Sequence, residues 1–148
     1  MGFWIAFLLS GALDCGSGAR LEPGRFIAPG IACELPPDLT FPVDSCAWHA
    51  PGRLLHVVTG ERQRIFAARC APGSSGNAGN AEKGMIAVRE GRTDTEHPWY
   101  FDAVSGEVYQ KAGHRCGGQI RVNRERYVSG RWVPAKQAAE PVLRELQA

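Results

Sequence analysis

Residues 54–67 read Leu-Leu-His-Val-Val-Thr-Gly-Glu-Arg-Gln-Arg-Ile-Phe-Ala, and this stretch decides the fold class. Apolar and β-branched residues stand on both sides of Thr59-Gly60, a pair suited to a tight hairpin turn. Glycine adopts the positive φ that such a turn requires, and a Thr or Ser hydroxyl can bond to the nearby backbone. The stretch therefore predicts an antiparallel hairpin in which 54–58 pairs with 62–67.

The same turn chemistry recurs twice further along the chain. Residues 104–107 and 128–131 repeat the order of valine, hydroxyl residue, glycine and charged residue. Each turn is flanked by apolar, β-branched or aromatic residues, which are typical of strands. Two further hairpins are predicted, with the strand pairs 99–104 with 107–111 and 125–128 with 131–133.

The remaining segments complete a mostly β fold. Strands at 85–89 and 119–122 extend the hairpins into an antiparallel meander of about six to eight strands, either a sandwich or a small open barrel. Apolar residues recur at helical spacing over 135–146, so a short C-terminal helix is expected, with Pro141 kinking or restarting it.

Residues 20–52 are rich in proline, holding six of the ten prolines of the chain. Proline lacks the N–H that a sheet ladder needs, so a central strand is not expected in this segment. We predict an extended arm with one short strand at 39–43, tied to the β domain through its cysteines.

An apolar run at residues 3–9, followed by small residues, indicates export. A signal-peptide core has roughly 7–15 apolar residues, whereas a membrane-spanning helix needs about 20. Small residues that suit cleavage end at Ala12 and at Ala19. We therefore predict a leader at 1–19, the arm at 20–52 and a β domain with its C-terminal helix at 53–148, with the arm and the domain forming one globular unit, in a protein that is periplasmic or secreted.

The cysteines support an oxidising compartment. Once Cys15 is removed or modified, four cysteines remain, and an even number predicts two disulfides in an exported protein. The pairing stays open among these candidates: Cys33, Cys46, Cys70 and Cys116.

Cys15 itself ends the stretch Leu-Leu-Ser-Gly-Ala-Leu-Asp-Cys, which resembles the lipid-attachment box of bacterial lipoproteins. Asp14 departs from that box, which has a small residue before the cysteine. The resemblance implies a lipid on Cys15 that would anchor an otherwise soluble domain to a membrane.

A basic stretch at 111–131 is the candidate binding surface. It has six Lys or Arg residues against a single carboxylate, Glu125. Arginine binds carboxylate or phosphate through two parallel hydrogen bonds, and aromatic rings offer stacking surfaces. The net charge of +2 for the whole chain disfavours nucleic acid, so the expected partner is an anionic protein or glycan. The predicted contact residues are Arg115, Arg121, Arg124, Arg126, Tyr127, Arg131 and Trp132.

Two other functions stay open. A small secreted hydrolase would pair His97 or His114 with one of three carboxylates, although no nucleophile elbow or phosphate-binding loop accompanies them. A lipid-anchored structural component of the cell envelope would need no small ligand. The hydrolase carboxylates in question are Asp94, Glu96 and Glu107.

No metal or cofactor is expected. Cys46-x-x-His49 and His114-x-Cys116 together offer the two thiols and two imidazoles of a zinc site. Export favours disulfides over thiolate ligands at these cysteines. The histidines are therefore interpreted as surface residues beside bridged cysteines.

Residues 100–109 read Tyr-Phe-Asp-Ala-Val-Ser-Gly-Glu-Val-Tyr and resemble the Asp-x-x-(Thr/Ser)-Gly-Glu-Val hairpin of PepSY-type domains in bacterial envelope proteins. The resemblance covers ten of the 148 residues. It implies a hairpin here and nothing about activity, because the helix that precedes this hairpin in those domains is not evident in 72–98.

Export and disulfide formation predict the state of the protein isolated from its native host. Its mass should correspond to cleavage after Ala12 or Ala19, and its thiols should react with an alkylating reagent only after reduction. Intact-mass spectrometry before and after reduction measures both properties. A full-length chain with reactive thiols would contradict export and make the cysteines and histidines the leading site candidates.

Overall fold

A computed structural model of the chain describes residues 11–70, 84–116 and 119–135, with side chains throughout except at 112–121. These residues form twelve strands in three four-stranded antiparallel sheets. The chain divides after Glu90 into two compact units. None of the described residues belongs to a helix long and apolar enough to cross a membrane.

The first sheet is a meander of four short strands built from the end of the predicted leader and the first part of the predicted arm. Its bounds, in spatial order, are β1 Leu13–Gly16, β2 Ala19–Glu22, β3 Arg25–Ala28 and β4 Ile31–Glu34. The expectation of an extended arm with one strand at 39–43 is therefore wrong: 39–43 lies outside the strands, and the preceding residues form a sheet.

The prolines of this segment form turns and do not break the sheet. Pro23-Gly24 and Pro29-Gly30 connect successive strands, and their glycines have φ of 86° and 76°. Proline fixes φ near −65° at the first central position of such a turn, and glycine supplies the positive φ at the second. The six-residue spacing of these Pro-Gly pairs is the sequence signal for the sheet.

Alternation along the short strands gives the first sheet a buried face. Leu21, Phe26 and Cys33 are almost completely buried, whereas Arg20 and Arg25 point to solvent. Because successive strand residues point to opposite faces, four residues suffice to place two side chains in the core from each strand.

The second sheet contains the hairpin with which the sequence analysis begins. Its strands, in spatial order, are β5 Ser45–His49, β6 Leu54–Thr59, β7 Arg62–Ala68 and β8 Met85–Arg92. Leu54 pairs with Ala67 and Thr59 with Arg62, which confirms the predicted hairpin, and Gly60 has the expected positive φ of 63°. The strand expected at 85–89 is also confirmed.

The two sheets share one hydrophobic core within the first unit. Phe26 of β3 and Trp48 of β5 pack with ring centroids 4.8 Å apart. Leu55 and Phe66 complete the centre of this cluster and are almost fully buried. Burial of such side chains contributes about 1.5–3 kcal/mol each relative to exposure.

Two disulfides join these sheets. Cys15 of β1 is bonded to Cys46 of β5, and Cys33 of β4 to Cys70, which follows β7. The prediction of two bridges is confirmed, but their membership is corrected, because Cys15 occupies the place expected for Cys116. Since β1 and β4 are the outer strands of the first sheet, each bridge fastens one of its edges to the second sheet.

The Cys15–Cys46 bridge also bears on two predictions made for the N-terminal region, namely lipid attachment at Cys15 and the position of leader cleavage. A sulfur in a disulfide cannot carry a thioether-linked lipid, so lipid attachment at Cys15 is inconsistent with this structure. Cleavage after Ala19 would remove β1 together with Cys15, whereas cleavage after Ala12 would keep both. Residues 1–10 lie outside the described part of the chain, and export itself stays a prediction.

The third sheet belongs to the second unit and has the order β12-β11-β10-β9. Its strands are β9 Trp99–Asp102, β10 Glu107–Cys116, β11 Gln119–Val128 and β12 Arg131–Pro134. Both hairpins predicted for this region are confirmed by the registers of β9 with β10 and of β11 with β12. The predicted C-terminal helix falls on residues that, apart from Ala135, lie outside the described ones.

Replacing Cys15 and Cys46 together by serine should lower the free energy of unfolding by about 3–4 kcal/mol, because their bridge closes a loop of 31 residues in the unfolded chain. Urea unfolding of the oxidised protein measures this loss. Cys116→Ser is the matched control, since it leaves both bridges intact. An unchanged urea midpoint in the double variant would contradict the assigned pairing.

Candidate functional site

The register of the third sheet sorts its side chains into two faces. Residues directly opposite each other across a ladder share a face, as do residues two apart along a strand. Arg124 and Arg126 therefore lie on one face of β11, and Asn123, Glu125 and Tyr127 on the other. We call the first the arginine face; its residues are Tyr100, Asp102, Glu107, Tyr109, Lys111, Arg124, Arg126, Arg131 and the apolar positions between them.

Glu107 is the centre of the arginine face. Arg126 Nη2 donates a hydrogen bond of 3.0 Å to Glu107 Oε2, and Arg124 Nη1 lies 3.4 Å from Oε1. The Glu107 side chain is only 10% exposed, whereas that of Arg126 is 60% exposed. The buried carboxylate thus contacts two guanidinium groups, and the guanidinium of Arg126 remains exposed to solvent.

Two tyrosines extend the same face. Tyr100 and Tyr109, opposite each other on β9 and β10, stack with ring centroids 6.0 Å apart. The guanidinium carbon of Arg124 lies 5.7 Å from the centre of the Tyr109 ring, a cation–π distance. The buried Nε of Arg124 has no hydrogen-bond partner among the described residues. Ring contact and ion pairing therefore orient this guanidinium.

The structure divides the predicted binding surface. Arg124, Arg126 and Arg131 share the arginine face, because Arg131 pairs with Val128, two residues after Arg126. Tyr127 and Trp132 pair with each other on the opposite face, with ring centroids 5.3 Å apart. The aromatic residues therefore cannot flank the arginines in one contact surface, as sequence proximity had suggested.

Two further predicted residues are located only by their backbones. Arg115 lies on β10 opposite Ile120, and Arg121 lies on β11. Their side chains belong to the stretch 112–121, which lies outside the described side chains. Their part in the surface stays a prediction.

Sequence reasoning did not place Tyr100 and Tyr109 on this face and assigned Glu107 to a different role. The available signal was period-two alternation in the hairpin, which places Glu107 and Tyr109 on one face of β10. The alternation by itself identifies no site. The pairing of β10 with β11 is what places Arg124 and Arg126 beside Glu107 and Tyr109.

Two of the three carboxylates proposed for a hydrolase, Asp94 and Glu107, are bonded to arginine. Arg92 binds Asp94 through two hydrogen bonds, Nε to Oδ1 at 2.8 Å and Nη2 to Oδ2 at 2.7 Å. Glu107 is held by the two arginines described above. His97 accepts a hydrogen bond from the Gln110 side chain through its backbone carbonyl. The His114 side chain lies outside those described, so the hydrolase stays a prediction.

One of the two thiols considered as a zinc ligand is engaged in a disulfide. Cys46 is oxidised in its bridge to Cys15 and is no thiolate donor. Among the described residues, no group of three or more His, Cys, Asp and Glu side chains could hold a metal ion.

His56 in β6 is a partly buried titratable residue outside the arginine face. Its Nε2 lies 2.8 Å from Gln63 Oε1. Burial lowers the pKa of this imidazole below its usual value, and the Gln63 hydrogen bond opposes that effect. His56 is thus a neutral, hydrogen-bonded part of the second sheet near physiological pH.

Comparison with known proteins does not place this chain in a group. It matches no protein-family model, no curated protein and no solved structure. The function therefore has to be inferred from the site itself.

Replacing Glu107 by glutamine should lower the free energy of unfolding by about 1–3 kcal/mol, because two charge-assisted contacts lose their carboxylate while the side-chain volume is kept. Urea unfolding monitored by tryptophan fluorescence measures the change. Glu90→Gln is the matched control: its ion pair with Arg62 is half exposed on both sides and contributes less than about 1 kcal/mol. Equal losses in the two variants would show that Glu107 has no special role.

Proposed function

We propose that this protein is an exported, disulfide-stabilised binding protein and that the arginine face contacts an anionic partner, either an acidic protein or an anionic glycan. Two disulfides in a chain of 148 residues support an oxidising compartment. The apolar run at residues 3–9, which is typical of a signal-peptide core, supports export. The partner is inferred from the chemistry of the arginine face.

The carrying observation is the arrangement of charge around Glu107. By register, four basic residues share the face with two carboxylates, Asp102 and Glu107. Asp102 is engaged in the following turn, where its Oδ1 accepts a hydrogen bond from the Val104 N–H. Glu107 is largely buried, so the solvent-facing charge is positive and is supplied by these residues: Lys111, Arg126 and Arg131.

The contact with Glu107 prepares Arg126 for binding an anionic partner, because it reduces the side-chain entropy that would be lost on binding. A guanidinium held by a buried carboxylate has already lost much of the side-chain freedom that binding would otherwise remove. Arg126 can direct its remaining N–H donors to a carboxylate or sulfate oxygen, and the exposed Tyr100 ring lies on the same face. Such contacts are electrostatic, so affinity should fall steeply with salt.

Binding can be tested on immobilised heparin and polyglutamate, which represent the two partner classes. Replacing Arg126 and Arg131 together by glutamine should weaken binding by about tenfold or more at low salt, because two exposed charge-assisted contacts are lost. Surface plasmon resonance over a salt series measures affinity and its salt dependence.

The control removes the same charge elsewhere. Arg20→Gln with Arg25→Gln deletes two exposed arginines from the first sheet and should leave affinity unchanged. If both double variants weaken binding equally, net charge alone is responsible. If the Arg126 and Arg131 variant binds as well as the unmodified protein, the arginine face is not the contact surface.

A further inference from the structure

Four cations of the arginine face form a row that follows β11 at intervals of two residues. In order they are Lys111 opposite Val122, then Arg124 and Arg126 of β11, and Arg131 opposite Val128. A strand rises about 3.3 Å per residue, so neighbouring positions lie about 6.6 Å apart and the row extends about 20 Å along the strand. A single small anion cannot contact cations over that length, so this cation row suits an extended partner.

The ends and the middle of the cation row are open to solvent. Lys111 and Arg131 are exposed, and neither forms an ion pair with another described residue. Arg126 contacts Glu107, yet its side chain is 60% exposed. Arg124 is the least exposed of the four, with 23% of its side chain accessible. A partner therefore meets three well-exposed positive charges at spacings that the strand register sets.

The two-residue interval of the cation row matches the side-chain repeat of an extended peptide. In an extended chain, side chains two residues apart point to the same side and recur about every 6.6 Å. Carboxylates at alternate positions would therefore meet the row one by one, and each can accept two hydrogen bonds from a guanidinium. Consecutive carboxylates would direct half of their charge away from the row. The charge spacing of a glycan is set by its sugar units and not by the rise of a strand.

We propose that the cation row binds an extended acidic segment of a partner protein, in which carboxylates at alternate residues face Lys111, Arg126 and Arg131. This inference rests on the proposed function, because it selects the acidic protein from the two partner classes considered for the arginine face. Repulsion between its carboxylates keeps such a segment extended before binding, which lowers the entropy lost when it binds. Charge and spacing together then favour one arrangement of acidic residues over another of equal charge.

Two peptides of identical composition test the spacing. Ser-Glu-Ser-Glu-Ser-Glu-Ser-Glu-Ser has its carboxylates at alternate residues, whereas Ser-Ser-Ser-Glu-Glu-Glu-Glu-Ser-Ser has them in one block. The alternating peptide should bind the oxidised full-length protein at least about fivefold more tightly at low salt, because more of its carboxylates reach the row. Surface plasmon resonance on the immobilised protein measures both affinities, with heparin and polyglutamate as further analytes.

Lys111→Gln with Arg131→Gln removes both ends of the row and keeps Arg126. Both replaced residues are exposed, so this variant should fold, and an unchanged circular dichroism spectrum checks this. Its affinities for the two peptides should differ by less than about twofold. Arg20→Gln with Arg25→Gln removes the same charge from the first sheet and should keep the preference for the alternating peptide.

Equal binding of the two peptides to the unmodified protein would overturn this inference, as would a preference that survives in the Lys111 and Arg131 variant. Binding of heparin without binding of either peptide would also overturn it and would leave the proposed function in place with a glycan as the partner. If heparin, polyglutamate and both peptides all fail to bind, the proposed function fails together with this inference.

Discussion

The two disulfides are the constraint on which the first unit depends, because they fasten the strands that the sheet holds least. β1 and β4 are four residues long and each has a neighbour on one side only. Strands this short contribute few ladder hydrogen bonds and little apolar area, and a small unclosed sheet is marginal in water. Cys15–Cys46 and Cys33–Cys70 connect these edges to the second sheet and let the Phe26–Trp48 core form between them.

In the second unit, the register of strand pairing is the constraint that decides which side chains share a face. Neighbouring residues of β11 point to opposite faces, so Arg124 and Arg126 lie beside Glu107 while Glu125 and Tyr127 lie on the opposite face. A shift of the pairing by one residue would exchange the two sets. The alternation that separates Arg124 and Arg126 from Glu125 and Tyr127 therefore gives one sheet two surfaces of different chemistry.

Local turn chemistry explains which elements could be predicted. The three hairpins with hydroxyl-glycine turns follow from a few neighbouring residues, and their registers agree with the expected pairs. The first sheet was missed because proline was interpreted as a strand breaker, although Pro23 and Pro29 stand in turns at a six-residue spacing. The arginines of the site were found from their density in the sequence, but their separation from Tyr127 and Trp132 was not.

Taken alone, the amino-acid sequence determined the β class, the hairpins, the bridged state of cysteines and the basic character of residues 111–131, because each depends on composition or on residues a few positions apart. The tertiary structure alone decided that Cys15 bonds to Cys46, that Glu107 holds two arginines and that the aromatic pair lies on the opposite face. The first two features join residues 17 to 31 positions apart, and the third depends on strand register. Contacts of that kind arise from packing and pairing across the chain, which local propensity does not encode.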